Sequence, residues 1–475
     1  MSEARPEIPA ASVVAVIAGL VAAWGIPGHP AGLNFVLTGV VTAAALVAHP
    51  RRVWWPAAAM SLLLVAFFAL RAAKWLLALD LLVAAGLAAV AVVDARTWRA
   101  LATLPLSLAN AVLRGPLAVA APLGARIGSW IPHEARPFVR GLAVATGLVS
   151  VFGGLFFSAD AAFAHLTAQA LMPDWNVTLF PARAIVLVGA FALAAAFVVL
   201  PAPTAASELP SPWRSKHRRL QRLEWGVALG ALDLLFLAFV VIQITVLFGG
   251  RTHVLTTAGM TYAQYARQGF FQLLAVAVLV LGVIAWTVSR VDASHPRERL
   301  RLRVLLGVLC LLTLVVLASA FRRLELYEEA YGFTRLRISV HAAIVWIGAA
   351  FVLVLGAGAA WRAEWLPRTL VIVTGVGLVA FNVVNPDATI ARENIARFER
   401  DRRIDTTYLA SLSPDALPAL MELPQETRAC PVAVIAARLP RDNSPFAFNL
   451  SRDTAERVVA REDVAHGEKL WSCRP

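Results

Sequence analysis

As far as about Asn385 the chain is a succession of apolar runs of membrane-crossing length, separated by short arginine-bearing loops, and beyond that point it turns polar. A crossing helix needs about 20 apolar residues, with about 17 to 25 tolerated, because each adds about 1.5 Å of rise. Eleven stretches fit: Ala10–Ile26, Ala31–Ala48, Val53–Leu70, Trp75–Val93, Gly141–Phe157, Ala184–Leu200, Trp225–Phe248, Phe270–Val288, Val304–Phe321, Ile338–Ala360 and Thr369–Val384. The pattern predicts an all-α fold, a polytopic transmembrane helix bundle of about eleven spans with a small, mostly helical C-terminal tail. With 59% hydrophobic and 15% charged residues and a mean hydropathy of +0.69, the chain lacks the polar surface to clothe several water-soluble globules.

The organisation follows from those runs. Residues 1–93 hold the first four spans, 94–140 a cytoplasmic interfacial segment, 141–223 two spans and a basic loop, 224–384 a five-span core, and 385–475 an extracytoplasmic tail. Within 94–140, Thr97–Trp130 is apolar but interrupted by Pro105, Pro116 and Pro122 and carries Arg114. It is expected to form interfacial amphipathic helices rather than a span. The first run, with Glu3 and Glu7 beside Arg5 and no small-residue cleavage site, reads as an anchor.

Cytoplasmic loops retain positive charge, so arginine placement sets orientation. Arg51 and Arg52, the 96–140 segment, RSKHRRLQR, PRERLRLR, and Arg362 with Arg368 fall on one side. PGHP, the Arg71–Lys74 turn, the 158–176 region, GGRTHVLTTAGMTYAQYARQG and RRLELYEEAYGFTRLR fall on the other. The expected topology has a cytoplasmic N-terminus and an extracytoplasmic tail in a bacterial inner membrane. The net charge of +13 is spread through these loops and marks topology, not nucleic-acid binding. In an extracytoplasmic tail Cys430 and Cys473 can form a disulfide, worth about 4 kcal/mol in the chain-entropy model. Cys310, inside a span, reads as a small buried apolar residue.

No Walker A lysine, HExxH, CxxC or nucleophile-elbow pattern occurs, so no catalytic residue, metal or cofactor is assigned, and an enzyme is the less favoured class. GVGLVA at Gly375–Ala380 matches a dinucleotide fingerprint only formally, since it lies inside a span. Asp80 and Asp233 are acids near mid-span, where a charge costs roughly 2.5–3.5 kcal/mol on the insertion scale, and they read as ion or proton ligands or as interhelical ties. The outer loops concentrate polar and aromatic groups: Tyr262, Tyr265 and Arg267 before one span, and Tyr327, Glu328, Tyr331 and Arg335 between two others. Such residues anchor helices at headgroup level or line a polar outer cavity. At the tail start, Asn385 and Asp387 precede an amphipathic pattern through Ile390, Ile395 and Phe398, with further helix starts near Asp405 and at Ser413 and Pro414.

GMTYAQYARQGFFQLL, LYEEAYGFTRLR, FNVVNPDATIARENIARF and DTTYLASLSPDALPAL together resemble the bacterial multi-pass membrane family known as domain of unknown function 4173, related to the 4153 type, over roughly Glu224 to Leu420. The resemblance implies a helical inner-membrane protein and carries no activity or residue role with it. Three readings remain: binding of an envelope ligand or membrane protein partner on the outer face, as a sensor, scaffold or accessory protein; secondary transport using Asp80 and Asp233; and transfer chemistry on a lipid-linked substrate. Apart from the lipid bilayer itself, no partner is fixed by the sequence.

Overall fold

The computed structural model describes residues 10–47, 53–130, 180–200, 222–248, 270–291, 295–440, 442 and 444–461. Among these residues there are helices and no strands. Ten of the eleven predicted runs lie there, and each falls on a helix; Gly141–Phe157 lies outside the described residues. Among the described residues five helices are long and apolar enough to cross a membrane: Lys74–Val93, Leu273–Arg290, Pro296–Tyr331, Arg335–Ala360 and Leu366–Val384. Five further apolar helices are shorter, at 10–17 residues. Large apolar side chains such as Leu82 and Leu234 are 71% and 68% exposed, which suits a hydrocarbon surrounding and not water.

The chain divides into two units, the first comprising Met1–Ser207 with Ala436–Val464, the second Glu208–Ile435 with Ala465–Pro475. The polar tail, expected as one extracytoplasmic segment, is therefore shared between them.

The first unit contains α1 (Ala10–Gly25), α2 (Leu33–Val47), α3 (Trp55–Ala66), α4 (Lys74–Val93), α5 (Trp98–Trp130) and α6 (Phe180–Val199). Small residues let the helices approach: Ala15 and Ala18 of α1 bury against Ala194 and Ala195 of α6, joined by Val119 of α5. Here α5 departs from the expectation of proline-broken interfacial helices, being a single 33-residue helix. An interior proline costs a helix about 3 kcal/mol in lost bonding and ring clash. Close packing offsets it, for a Cβ at Gly115 would lie 2.8 Å from the backbone of Ala195 and Ala196.

The tail segment of this unit closes one end of the bundle. Asn449 donates to Phe68 O (2.8 Å) and Arg71 O (2.7 Å), and Leu33 N–H donates to Phe448 O at 3.0 Å. His29 Nδ1 meets Asp442 Oδ2 at 2.7 Å. That hydrogen bond and the Ser444 N–H hold the Asp442 carboxyl below the usual carboxylate range. The PGHP loop and the Arg71–Lys74 turn, assigned to one side from their charge, thus meet the same stretch of tail.

The second unit contains α7 (Arg222–Phe248), α8 (Phe270–Arg290), α9 (Pro296–Tyr331), α10 (Arg335–Ala360) and α11 (Leu366–Val384). These are followed by α12 (Pro386–Asp401), α13 (Thr406–Ala410), α14 (Leu417–Leu420) and α15 (Gln425–Ala437). Its core centres on α9, whose Leu309, Cys310, Val316, Leu317, Ala320 and Leu324 pack among Leu229, Phe236, Val280, Ile344 and Phe351. At 36 residues α9 is about 54 Å long against a hydrocarbon thickness of about 30 Å. Its apolar centre, Val304–Phe321, is therefore flanked by polar turns at both ends, and the C-terminal one carries the candidate residues.

Candidate functional site: the polar end of the second unit

The site is built where α9 ends and α10 begins. Gly332 stops α9 with φ +79, its N–H donating to Glu328 O at 2.7 Å, in a conformation that side chains rarely adopt. Thr334 then caps α10, accepting from Arg337 N–H at 3.4 Å. The Arg337 guanidinium turns back to the Gly332 carbonyl and lies 4.3 Å from the Tyr327 ring centroid. Tyr327 and Tyr331, one helical turn apart, have ring centroids at 4.9 Å.

The tail enters through α12. Asn385 ends α11 and starts α12 in the left-handed region (φ 57, ψ 79), and its side chain accepts from Ala388 N–H at 3.4 Å. Pro386 at the first helical position needs no N–H partner. One turn of backbone therefore brings Asp387 to Arg335. The two form a two-pronged ion pair, Nε to Oδ1 at 2.9 Å and Nη2 to Oδ2 at 2.6 Å. Asp387 is 0% exposed and Arg335 32%. Ser413 N–H adds a third donor to Asp387 at 2.8 Å, Arg335 also reaches Ser411 O at 3.2 Å, and the Arg335 N–H donates to the Tyr408 hydroxyl at 2.7 Å. Burial works against the Asp387 charge, yet the Arg335 bonds and charge with the Ser413 donors outweigh it and hold the carboxyl below the usual range. Burial pushes the Tyr408 phenol upward.

Two residues that sequence reasoning missed complete the junction. Asn394 accepts from Phe333 N–H (3.1 Å) and donates to Phe333 O (3.0 Å), and Arg397 donates to Glu329 O (3.2 Å) and Ala330 O (2.7 Å), capping the end of α9. The signal that finds them is helical spacing: Asp387, Asn394 and Arg397 lie at i, i+7 and i+10, on a polar stripe beside the apolar one of Ile390, Ala391 and Ile395.

Beneath the junction, Glu328 is 1% exposed and faces His341, with Oε1 and Nδ1 at 3.3 Å, while the His341 ring packs on Phe321 at 4.5 Å. The structure therefore gathers Tyr327, Glu328, Tyr331, Arg335, Asn385 and Asp387 around one turn, with Arg335 and Asp387 bonded to each other and to backbone. Tyr331, at 53% exposed, is the member open to the surroundings. Tyr262, Tyr265 and Arg267 lie outside the described residues. Cys430 is disulfide-bonded, Cys310 is free and buried, and Cys473 lies outside the described residues.

The intramembrane acids lie in different units. Asp80 is fully buried in α4 of the first. Asp233, buried in α7 of the second, lies within electrostatic range of Cys310, and no donor among the described residues reaches either of its carboxylate oxygens. Eighteen residues of α9, about 27 Å, separate the level of Cys310 from that of Glu328, and the buried face between them carries Thr313, Val316, Leu317, Ser319, Ala320 and Leu324. Among the described residues no group of three or more histidine, cysteine or acidic side chains is placed to hold a metal ion.

A family model described as "Domain of unknown function (DUF4153)" matches residues 58–423. The match carries the 4153 label and not the 4173 label expected from the motifs, and it begins well before Glu224, within α3, so α4 belongs to the matched region while α1 and α2 precede it. No curated protein and no solved structure matches the chain.

Proposed function

The chain belongs to the DUF4153 family, and from that premise we propose that it is an integral membrane protein whose polar tail forms a fixed platform that binds an envelope ligand or a membrane protein partner. The observation that carries this reading is the three-point attachment of α12 to the α9–α10 turn through Arg335–Asp387, Asn394–Phe333 and Arg397–Glu329. A tail with no task beyond solubility needs no such attachment. The exposed surface of the platform, with Tyr331, Arg392, Glu393, Arg402 and Arg403, mixes both signs of charge, which suits a specific protein or headgroup surface better than a polyanion. Each unit also joins its own loops to tail, which supports a topology with those loops and the tail on one side of the membrane.

The test combines sidedness and contact. Arg403→Cys, in a background with the three native cysteines replaced by serine, should react with a membrane-impermeant maleimide in intact cells. A photocrosslinking residue at Tyr331 or Arg392 should then yield an adduct of defined mass, lost when Asn394→Ala frees the platform. Labelling confined to permeabilised cells would reverse the topology, and absence of any adduct at both positions would remove the binding role.

One observation favours a second reading. The Asp233 carboxylate, buried with no donor among the described residues, is costly as a bare anion and calls for a proton or a cation. Secondary transport through the second unit would then run past Asp233, and neutralising it should abolish ion-dependent flux in reconstituted vesicles. Unchanged flux in Asp233→Asn would end that reading.

A further inference from the structure

A second feature lies at one end of the first unit, apart from the platform. Helices α1 and α6 run antiparallel: Gly19 sits against Leu187 and Phe191, and five residues on, the Arg183 guanidinium lies over the Trp24 ring, 4.8 Å from its centroid. Beside this pair is a cavity of about 240 Å³, lined by Leu20, Val21 and Trp24 of α1, Asn34 and Leu37 of α2, and Phe446 of the tail.

The chemistry of the cavity restricts its occupant. Asn34, the polar lining residue, is fully engaged, donating to Gly25 O and Pro30 O and accepting from Gly32 N–H and Phe35 N–H. Beyond the Trp24 indole N–H the lining side chains offer no unused polar group with which to recognise a sugar or a peptide backbone, and the volume is below the roughly 300–1,000 Å³ of drug-sized sites. The cavity suits hydrocarbon. Against Trp24, one of the lining residues, stands the Arg183 cation, whose buried Nε no acceptor among the described residues reaches. Asp442 of the tail is paired with His29, whose ring lies 6.4 Å from that of Phe446. Trp24, 67% exposed at a helix end with arginine stacked on it, has the character of a headgroup-level residue.

We propose that this groove holds one acyl chain of an anionic phospholipid, with Arg183, steadied over Trp24, taking the lipid phosphate. An apolar slot beside a stacked cation matches an amphiphile with a negative head, and the exposed face of Trp24 gives the chain a route in from the bilayer. The inference rests on the membrane reading alone and is independent of what the platform binds.

The test uses full-length protein in detergent micelles and two photoactivatable lipids that carry the same diazirine acyl chain, one with a glycerol headgroup and net negative charge, the other a zwitterionic choline lipid. Peptide mapping should place adducts of the anionic probe on Leu20, Leu37 or Phe446, about fivefold above the choline probe. Arg183→Gln should bring the anionic probe down to the choline level, and Arg183→Lys should keep most of the preference, which separates loss of charge from loss of fold. Leu37→Trp, filling the slot, should abolish both adducts with the helix content unchanged. Equal labelling by the two probes with indifference to Arg183→Gln would mean ordinary annular lipid. Adducts falling only outside the groove would likewise overturn the proposal.

Discussion

Asn394 lays its side-chain amide along the backbone of Phe333, taking the N–H at 3.1 Å and giving to the carbonyl at 3.0 Å, as a neighbouring strand would. A residue in the tail thereby fixes a turn at the end of the bundle. Each such bond contributes about 0.5–1.5 kcal/mol net. Asn394→Ala should therefore destabilise the second unit by about 1–3 kcal/mol, read as a lower thermal midpoint in detergent, with proteolysis beginning between α11 and α13. An unchanged midpoint would mean that the junction does not depend on this amide.

The Arg335–Asp387 pair gives a pH dependence with a definite sign. Asp387 has a folded-state pKa below its unfolded value, so the stability it contributes is complete above the unfolded value of about 4 and is lost as pH falls through the lower folded one. Asp387→Asn should remove this acid limb. It should also cost about 3–5 kcal/mol at neutral pH, because Arg335 is left without its partner. Unfolding midpoints measured between pH 3 and 7 in the two proteins provide the comparison, and parallel curves would contradict the assignment.

Gly332 is a place where one methyl group does two kinds of damage. Its φ of +79 disfavours a side chain, and a Cβ there would stand 2.4 Å from Asn394 Oδ1. Gly332→Ala should lower stability by about 1–3 kcal/mol through strain, and more if Asn394 is displaced. Combined with Asn394→Ala it should be less than additive, since the second change removes the clashing atom. A double-mutant cycle of thermal midpoints measures this, and full additivity would count against the contact.

Asp233 should behave unlike the other acids. If it serves only the fold, Asp233→Leu relieves a buried polar group of its missing partner and should raise stability by about 1–3 kcal/mol. A fall instead would show that the carboxylate is held by a bound proton donor, water or cation, and would strengthen the transport reading.

How far the sequence anticipated these features depends on which physical signal each one left. Hydropathy marks long apolar helices well, because the bilayer demands a fixed length, and Lys74–Val93 or Arg335–Ala360 could be read directly. Local capping chemistry was equally legible: a helix starts near Asp405 as expected, and Asp405 caps α13 by accepting from Tyr408 N–H. Packing was not. Proline signals placed breaks in α5, but the close fit of Gly115 against α6 is a tertiary fact that no local propensity contains. For the same reason Arg335 and Asp387 could be singled out as polar and yet not paired, since the αL corner at Asn385 decides what Asp387 faces.

That corner has a consequence for the phase of the tail. Asn385 is shared by the end of α11 and the start of α12, so no slack separates the last bundle helix from the platform. Each residue of an α-helix turns the next by about 100°. Adding a single residue to α11 would swing Asp387, Asn394 and Arg397 together off the α9–α10 turn, whereas an insertion beyond Asp401 would leave all three in place. The length of that helix therefore acts as a setting for the angle at which the whole platform is presented.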